Sequence, residues 1–158
     1  MEILRLGADD PASSGNLVEA LLPMREALYP DLSRAENTRE VSALFAIPAR
    51  YAFFIALVAG EPAGFAEAAI RRDHVDGCRT SPVVFLEGIF VLPAFRRRGI
   101  ARKLCEAVAG FGSDSDCSEL ASNALLTNHD SHAFHAAAGF EETERVVFFR
   151  RRIGEISA

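Results

Sequence analysis

The sequence predicts one mixed α/β domain, and three observations predict it. Short apolar runs of strand length alternate with segments whose apolar residues recur at helical spacing. Of the 158 residues, 49% are apolar and 25% charged, the balance of an ordinary globular protein. The length suits a single core that buries about two-thirds of the unfolded surface, and no repeat, low-complexity tract or linker interrupts it.

Taken in order, residues 3–6 form a short apolar opening strand, and residues 8–15, rich in Asp, Pro and Ser, form a loop that starts a helix. Leu17, Leu21, Met24 and Leu28 then recur at helical spacing, with Val18 and Leu22 widening the stripe, until Pro30 ends it. A second helix spans residues 33–47, with Val41, Leu44 and Phe45 inward and Pro48 as its stop. The continuous apolar run 53–58 reads as a fully buried strand. Gly60-Glu61-Pro62 turns the chain into an alternating strand, 64–71, completing a hairpin. A polar loop, 74–82, leads to the strongest strand of the chain, 83–92, closed by Pro93. Ile100, Leu104, Val108 and Phe111 mark an amphipathic helix ended by Gly112 and Ser113. Residues 119–122 make a short strand and residues 130–138 a helix capped by Gly139. Residues 143–153 make a last strand of high β-propensity.

A formal charge of −5 opposes nucleic acid as a partner, because phosphate binding needs a net basic face, and it suits a cationic ligand. Cys78, Cys105 and Cys117 are few, odd in number and scattered, so neither a disulfide framework nor a zinc site is expected. Reduced thiols place the protein in the cytoplasm. No secretory leader is visible and no apolar run reaches membrane-spanning length, so no membrane association is expected. His129, His132 and His135 spread around a helix rather than sharing one face, which argues against a metal.

The informative stretch is Val91-Leu92-Pro93-Ala94-Phe95-Arg96-Arg97-Arg98-Gly99-Ile100-Ala101. A buried strand runs into a basic, glycine-containing turn that opens directly into an amphipathic helix. The first amides of a helix lack intrahelical partners and carry the positive end of the macrodipole. Gly99 lets the backbone approach a phosphate closely. The turn is therefore an anion cradle or, on spacing alone, a solvated basic turn.

The detailed pattern resembles the GNAT superfamily of N-acetyltransferases. Arg96-Arg97-Arg98-Gly99-Ile100-Ala101 fits its pyrophosphate-binding pattern: Arg or Gln, two variable residues, Gly, one variable residue, then Gly or Ala. Downstream, Asn128 is followed seven residues later by His135 and then by Gly139-Phe140, as in the superfamily helix that touches the pantetheine arm. The resemblance narrows to the aminoglycoside 6′-N-acetyltransferases over residues 64–151, through Ser81-Pro82-Val83-Val84-Phe85-Leu86-Glu87-Gly88-Ile89-Phe90-Val91-Leu92-Pro93 and Gly139-Phe140-Glu141-Glu142-Thr143-Glu144-Arg145-Val146.

That resemblance implies a mainly antiparallel central sheet flanked by helices, and direct attack of a primary amine on acetyl-CoA. It assigns pantetheine binding to backbone groups of Ile89, Phe90 and Val91, and pyrophosphate binding to Arg96, Arg97, Arg98, Gly99, Ile100, Ala101 and Arg102, with Asn128 on the arm. Glu87, a carboxylate inside an apolar strand, is costly there unless paired. It either binds the substrate ammonium and accepts its proton or forms a structural ion pair. Gly88 marks a strand bulge. His135 stands where many relatives carry a tyrosine acid, either to protonate the departing thiolate or as helix packing. Tyr29, His74, Asn123 and Glu144 fall at acceptor-binding positions. Asn123 departs from the usual Asp, and a carboxylate holds a cationic sugar better than an amide.

The implied activity is acetyl transfer to a small cationic amine, the 6′-amine of an aminoglycoside, without a metal, by a homodimer built on C-terminal strands. The alternatives are another small amine, a polyamine or a protein N-terminus as acceptor, and a CoA-binding regulatory module without turnover.

Overall fold

A computed structural model of the protein describes residues 1–7 and 11–154. Its elements, in order, are β1 (Glu2–Leu6), α1 (Pro11–Leu28), α2 (Arg34–Phe45), β2 (Tyr51–Val58), β3 (Glu61–Arg71), β4 (Val83–Val91), α3 (Ile100–Asp114), β5 (Leu120–Ser122) and α4 (His129–Ala137). A single turn of tighter helix, Pro93–Phe95, joins β4 to the approach of α3. The sheet has five strands in the order β1-β2-β3-β4-β5. The first four pair antiparallel and β5 joins β4 in parallel, so the expected mixed, mainly antiparallel sheet is what forms.

Both faces of the sheet are covered, which is why β2 and β3 read as almost unbroken apolar runs. One face carries Phe53, Ile55 and Phe65 against Leu21, Leu22 and Met24 of α1 and Val41 of α2. The other carries Ala66, Ala68, Ile70, Val84 and Leu86 against Ile100, Leu104, Cys105, Val108 and Phe111 of α3. The small alanines of β3 let α3 lie close to the strands. Helix α2 starts in a capping box, in which the Ser33 hydroxyl accepts from the Glu36 amide and the Glu36 carboxylate accepts from the Ser33 amide. Cys105 is buried on the inner side of α3, and burial pushes its thiol up to about 11. Burial also raises the thiols of Cys78 and Cys117.

Two expectations need correction. Helix α1 begins at Pro11 rather than after the polar stretch 8–15. Proline suits a first turn, whose amides have no intrahelical partner in any case; residues 8–10 lie outside the described residues. The strand expected over residues 143–153 does not form. That stretch carries no regular element and is exposed, with Phe148 at 87% and Phe149 at 90% exposure. Propensity alone cannot make a strand, because every ladder bond needs a partner edge, and no described strand pairs with that segment.

A buried polar cluster ties the α1/α2 layer to the sheet. Arg25 of α1 grips Glu67 of β3 through Nε at 2.8 Å and Nη2 at 3.1 Å. Its Nη1 donates to Asn37 at 2.8 Å and to Glu40 at 3.0 Å, both on α2. Asn37 in turn donates to the Leu22 carbonyl at 3.1 Å. Burial alone would lower the Arg25 pKa, but the hydrogen bonds and charges of Glu67 and Glu40 together outweigh it, and the group is held above its ordinary value. Such a pair is strongly destabilising to break from one side, since the partner charge is left buried and alone. Glu67→Ala is expected to cost about 3–5 kcal/mol in urea unfolding. A loss below about 1 kcal/mol would show that the cluster relaxes into water.

Candidate active site

The site is built where β4 loses one of its neighbours. β4 pairs with β3 along its length, but with β5 only at Val84↔Leu120, Phe85↔Ala121 and Leu86↔Ser122. Beyond Leu86 the two parallel strands part. Among the described residues, the β5 ladder leaves the matching edge of residues 87–91 without a strand partner. Buried or half-buried backbone groups of this kind demand a partner, so the opening is suited to an extended ligand lying along β4.

At the same point β4 carries an extra residue. Its register against β3 steps from Glu67↔Gly88 to Ala68↔Leu86, which leaves Glu87 as the bulged position. The expected bulge is therefore present, and it re-aims the carboxylate. Glu87 is held by Arg71, the last residue of β3, through three hydrogen bonds of 2.7–3.0 Å to its two oxygens. The Arg71 guanidinium also lies over the Phe85 ring, 3.5 Å from its centroid. The sequence shows the acid but not its arginine.

Tyr29, just past the end of α1, donates its hydroxyl to the Glu87 carbonyl at 3.2 Å. Burial, followed by the charge of Glu67, pushes the phenol up, so it remains a donor at any physiological pH. Gly88 is required by this contact: a Cβ there would stand 2.4 Å from Tyr29 Oη and 2.9 Å from Leu28 Cδ2. Beside it lies an open cavity of about 410 Å³ lined by Arg25, Leu28, Tyr29, Asp31 and Glu40 among others. Of the other acceptor-position candidates, His74 is exposed on the loop after β3, 3.6 Å from Asp76, and Asn123 and Glu144 are exposed. None of the three hydrogen-bonds to Glu87 among the described contacts. Glu119, ahead of β5, pins the 74–82 loop by accepting from the amides of Arg79 and Thr80 and from the Thr80 hydroxyl. The hydroxyl bond is the main reason its carboxyl is held below the usual range.

On the opposite face, the basic turn opens into α3 at Gly99. Gly99 is the residue before the first turn of α3, left-handed at φ +76°, with no side chain capping it. Arg97 also sits at positive φ, +62°, a strained conformation for a residue with a Cβ and one that clusters at ligand clamps. The leading amides of Ile100, Ala101 and Arg102 face the turn, and their chemistry fits a diphosphate. Arg96 folds back, its Nε donating to the Val91 carbonyl at 3.0 Å, and Arg98 lies over Phe95. Ile89, Phe90 and Val91 follow the bulge as expected, half-buried.

Helix α4 supplies the remaining groups. Asn128 caps it, its side chain accepting from the Ser131 amide at 3.1 Å. His135 is set edge-on between Phe134 and Phe140. Its Nδ1 is 2.6 Å from the Ser131 carbonyl and its Nε2 is 2.9 Å from Ser122 Oγ. Ser122 was not singled out by the sequence; a polar residue in a three-residue strand carries no pattern. No group of three metal-ligating side chains gathers among the described residues.

A sheet parted at its fourth strand, over an uncapped helix N-terminus, is the frame of an acyl-coenzyme-A-dependent transferase. Residues 20–140 match the acetyltransferase (GNAT) family, and the chain belongs to that family. Within it, the chain is 43% identical to the aminoglycoside N(6′)-acetyltransferase type 1 of Serratia marcescens over 137 residues, 87% of this chain and 94% of that one. The protein of the same name from Salmonella typhimurium is 55% identical over 101 residues, 64% of this chain and 70% of its own. Among solved structures, AAC(6′)-Iy in complex with the bisubstrate analog CoA-S-monomethyl-acetylneamine superposes with a TM-score of 0.87 at 40% identity, covering 96% of this chain and 97% of that one. Apo AAC(6′)-IG from Acinetobacter haemolyticus gives 0.87 at 37% identity, covering 97% and 99%.

Gly88→Ala is expected to push Tyr29 off the Glu87 carbonyl, at a cost of about 1 kcal/mol for the lost hydrogen bond. Acceptor KM should rise while binding of CoA, titrated separately, stays within about twofold, a change too small to register as a lost contact. An unchanged acceptor KM would show that Tyr29 does not shape that side of the site.

Proposed function

We propose that this protein transfers the acetyl group of acetyl-CoA to a primary amine, the 6′-amine of an aminoglycoside, by direct attack. The name shared by its relatives supports the acceptor. The single geometric observation that carries the chemistry is the parting of β4 from β5 at Leu86 and Ser122, with Glu87 at the bulge that follows.

Acetyl-CoA supplies the acetyl thioester. In this reading the leading amides of α3, with Arg96, Arg97, Arg98, Gly99 and Arg102 around them, hold the diphosphate, and the backbone of Ile89, Phe90 and Val91 holds the pantetheine arm with Asn128. Glu87 binds the acceptor's ammonium and takes its proton, directly or through water. Arg71 fixes both Glu87 oxygens from one side, which leaves their remaining lone pairs for the substrate. Tyr29, His74, Asn123 and Glu144 line the acceptor's approach. A β4 amide polarises the thioester carbonyl as charge develops on it, and His135 supplies the proton to the departing thiolate.

The protein is further proposed to act in the cytoplasm, which suits three unpaired cysteines, and as a homodimer. Val146, Val147, Phe148, Phe149 and Ile153 are exposed on a segment that pairs with no strand among the described residues. Burying them against a second copy would take this run of exposed apolar side chains out of water.

Thiol release from acetyl-CoA is expected with kanamycin and tobramycin and to be weaker with spermidine or short peptides. Glu87→Gln should lower kcat at least about 100-fold, the usual scale for a positioned base, with CoA affinity retained. Turnover with peptides or polyamines alone would replace the acceptor, and no turnover with any amine would point to a CoA-binding module. Phe148→Asp with Phe149→Asp should give a monomer by light scattering; a dimer unaffected by both places the interface elsewhere.

A further inference from the structure

We infer that Ser122 is the group that delivers the proton to the departing thiolate, with His135 behind it as the supply; this rests on the acetyl-transfer reading above. Three observations converge on the Ser122 hydroxyl. First, it stands at the last paired position of β5, 3.3 Å from the Leu86 carbonyl to which it donates. Leu86 is the residue after which β4 loses that neighbour, so the hydroxyl lies at the floor of the opening. Second, aligned residues of a parallel pair project to the same face, and Leu86 belongs to the α3 face. Ser122 is therefore on the coenzyme side of the sheet, while the Arg71, Phe85 and Glu87 side chains gather on the acceptor side. Third, the tautomer of His135 is fixed. The Ser131 carbonyl, 2.6 Å from Nδ1, can only accept, so Nδ1 carries a hydrogen; the Ser131 hydroxyl stands 3.3 Å from the same nitrogen.

The consequence is directional. With Nδ1–H committed to a carbonyl, His135 can supply a proton only from Nε2, and Nε2 faces Ser122 Oγ at 2.9 Å. When the ring is protonated, Nε2–H donates to Oγ and frees the serine's own hydrogen to turn to another acceptor. At rest that acceptor is the Leu86 carbonyl. During transfer, the amine nitrogen forms its bond to the acetyl carbon and the carbon–sulfur bond breaks, its electron pair staying on sulfur. Ser122 Oγ–H passes its proton to that sulfur, and Nε2–H of His135 replaces it on Oγ. The proton shed by the amine leaves on the Glu87 side, and the neutral His135 is recharged from solvent. The histidine thus never needs to reach the sulfur itself.

The test is a double-mutant cycle on the full chain with acetyl-CoA and kanamycin, with CoA affinity titrated separately. Ser122→Ala and His135→Gln are each expected to lower kcat about 100-fold, the scale of general acid catalysis. The double variant should be no slower than the slower single, because the two act in series. CoA affinity should change less than about twofold, the size expected when no coenzyme contact is lost, and Ser122→Thr, which keeps the hydroxyl, should recover most of the rate. A Ser122→Ala enzyme with undiminished kcat, or losses that multiply in the double variant, overturns the relay while leaving acetyl transfer intact. A wild-type protein that releases no thiol with any amine overturns the acetyl-transfer reading, and the relay with it.

Discussion

β4 is bonded to β3 along its length but keeps β5 as a neighbour for only three residues. Over residues 87–91 that edge has no strand partner among the described residues; the Glu87 and Val91 carbonyls are met by the Tyr29 hydroxyl and Arg96 Nε, and the backbone groups between them are open to an extended ligand. Everything else in the molecule follows from holding this gap open. The antiparallel β1–β4 block supplies rigidity on one side. On the other, α3 packs Ile100, Leu104 and Val108 into the sheet, fixing its N-terminus at the mouth of the gap. A ligand with a long amide-bearing arm and an anionic end meets both demands at once.

The gap also divides the chemistry between two faces. A single inserted residue in β4 turns Glu87 toward Arg71 and Tyr29 on the side of α1, while the in-register partner of Leu86 keeps Ser122 and His135 on the side of α3 and α4. In the proposed reaction, the group that takes a proton and the group that gives one are thereby kept on opposite faces of the sheet. The buried Arg25–Glu67 pair has the matching structural role. Glu67 is aligned with Gly88 across the bulge, so the cluster that anchors α1 lies directly under the contact that α1 makes with the site.

Much of this was legible in the sequence, and the exceptions share a cause. The strand 83–92, the basic turn and the helix stripe Ile100, Leu104, Val108 and Phe111 are local patterns, and the four apolar residues of that stripe are all buried. Glu87 announces itself as a charge within an apolar run. Glu67 is the same signal in β3, yet it was hidden by an alternation that explained its position without a partner. Arg25 and Arg71 were invisible because their partners are 42 and 16 residues away, and only the sheet register brings them together. The segment 143–153 failed in the other direction. Its residues favour a strand strongly, but a strand is a relation between two segments, and among the described residues no second segment pairs with it.

The burial of the cysteines has a practical side. All three thiols are held above the ordinary range, Cys105 furthest, and it is the thiolate rather than the thiol that attacks disulfide dyes. Cys105, buried on the inner side of α3 and raised furthest, will therefore contribute least to the background when a colorimetric reagent traps liberated coenzyme near neutral pH.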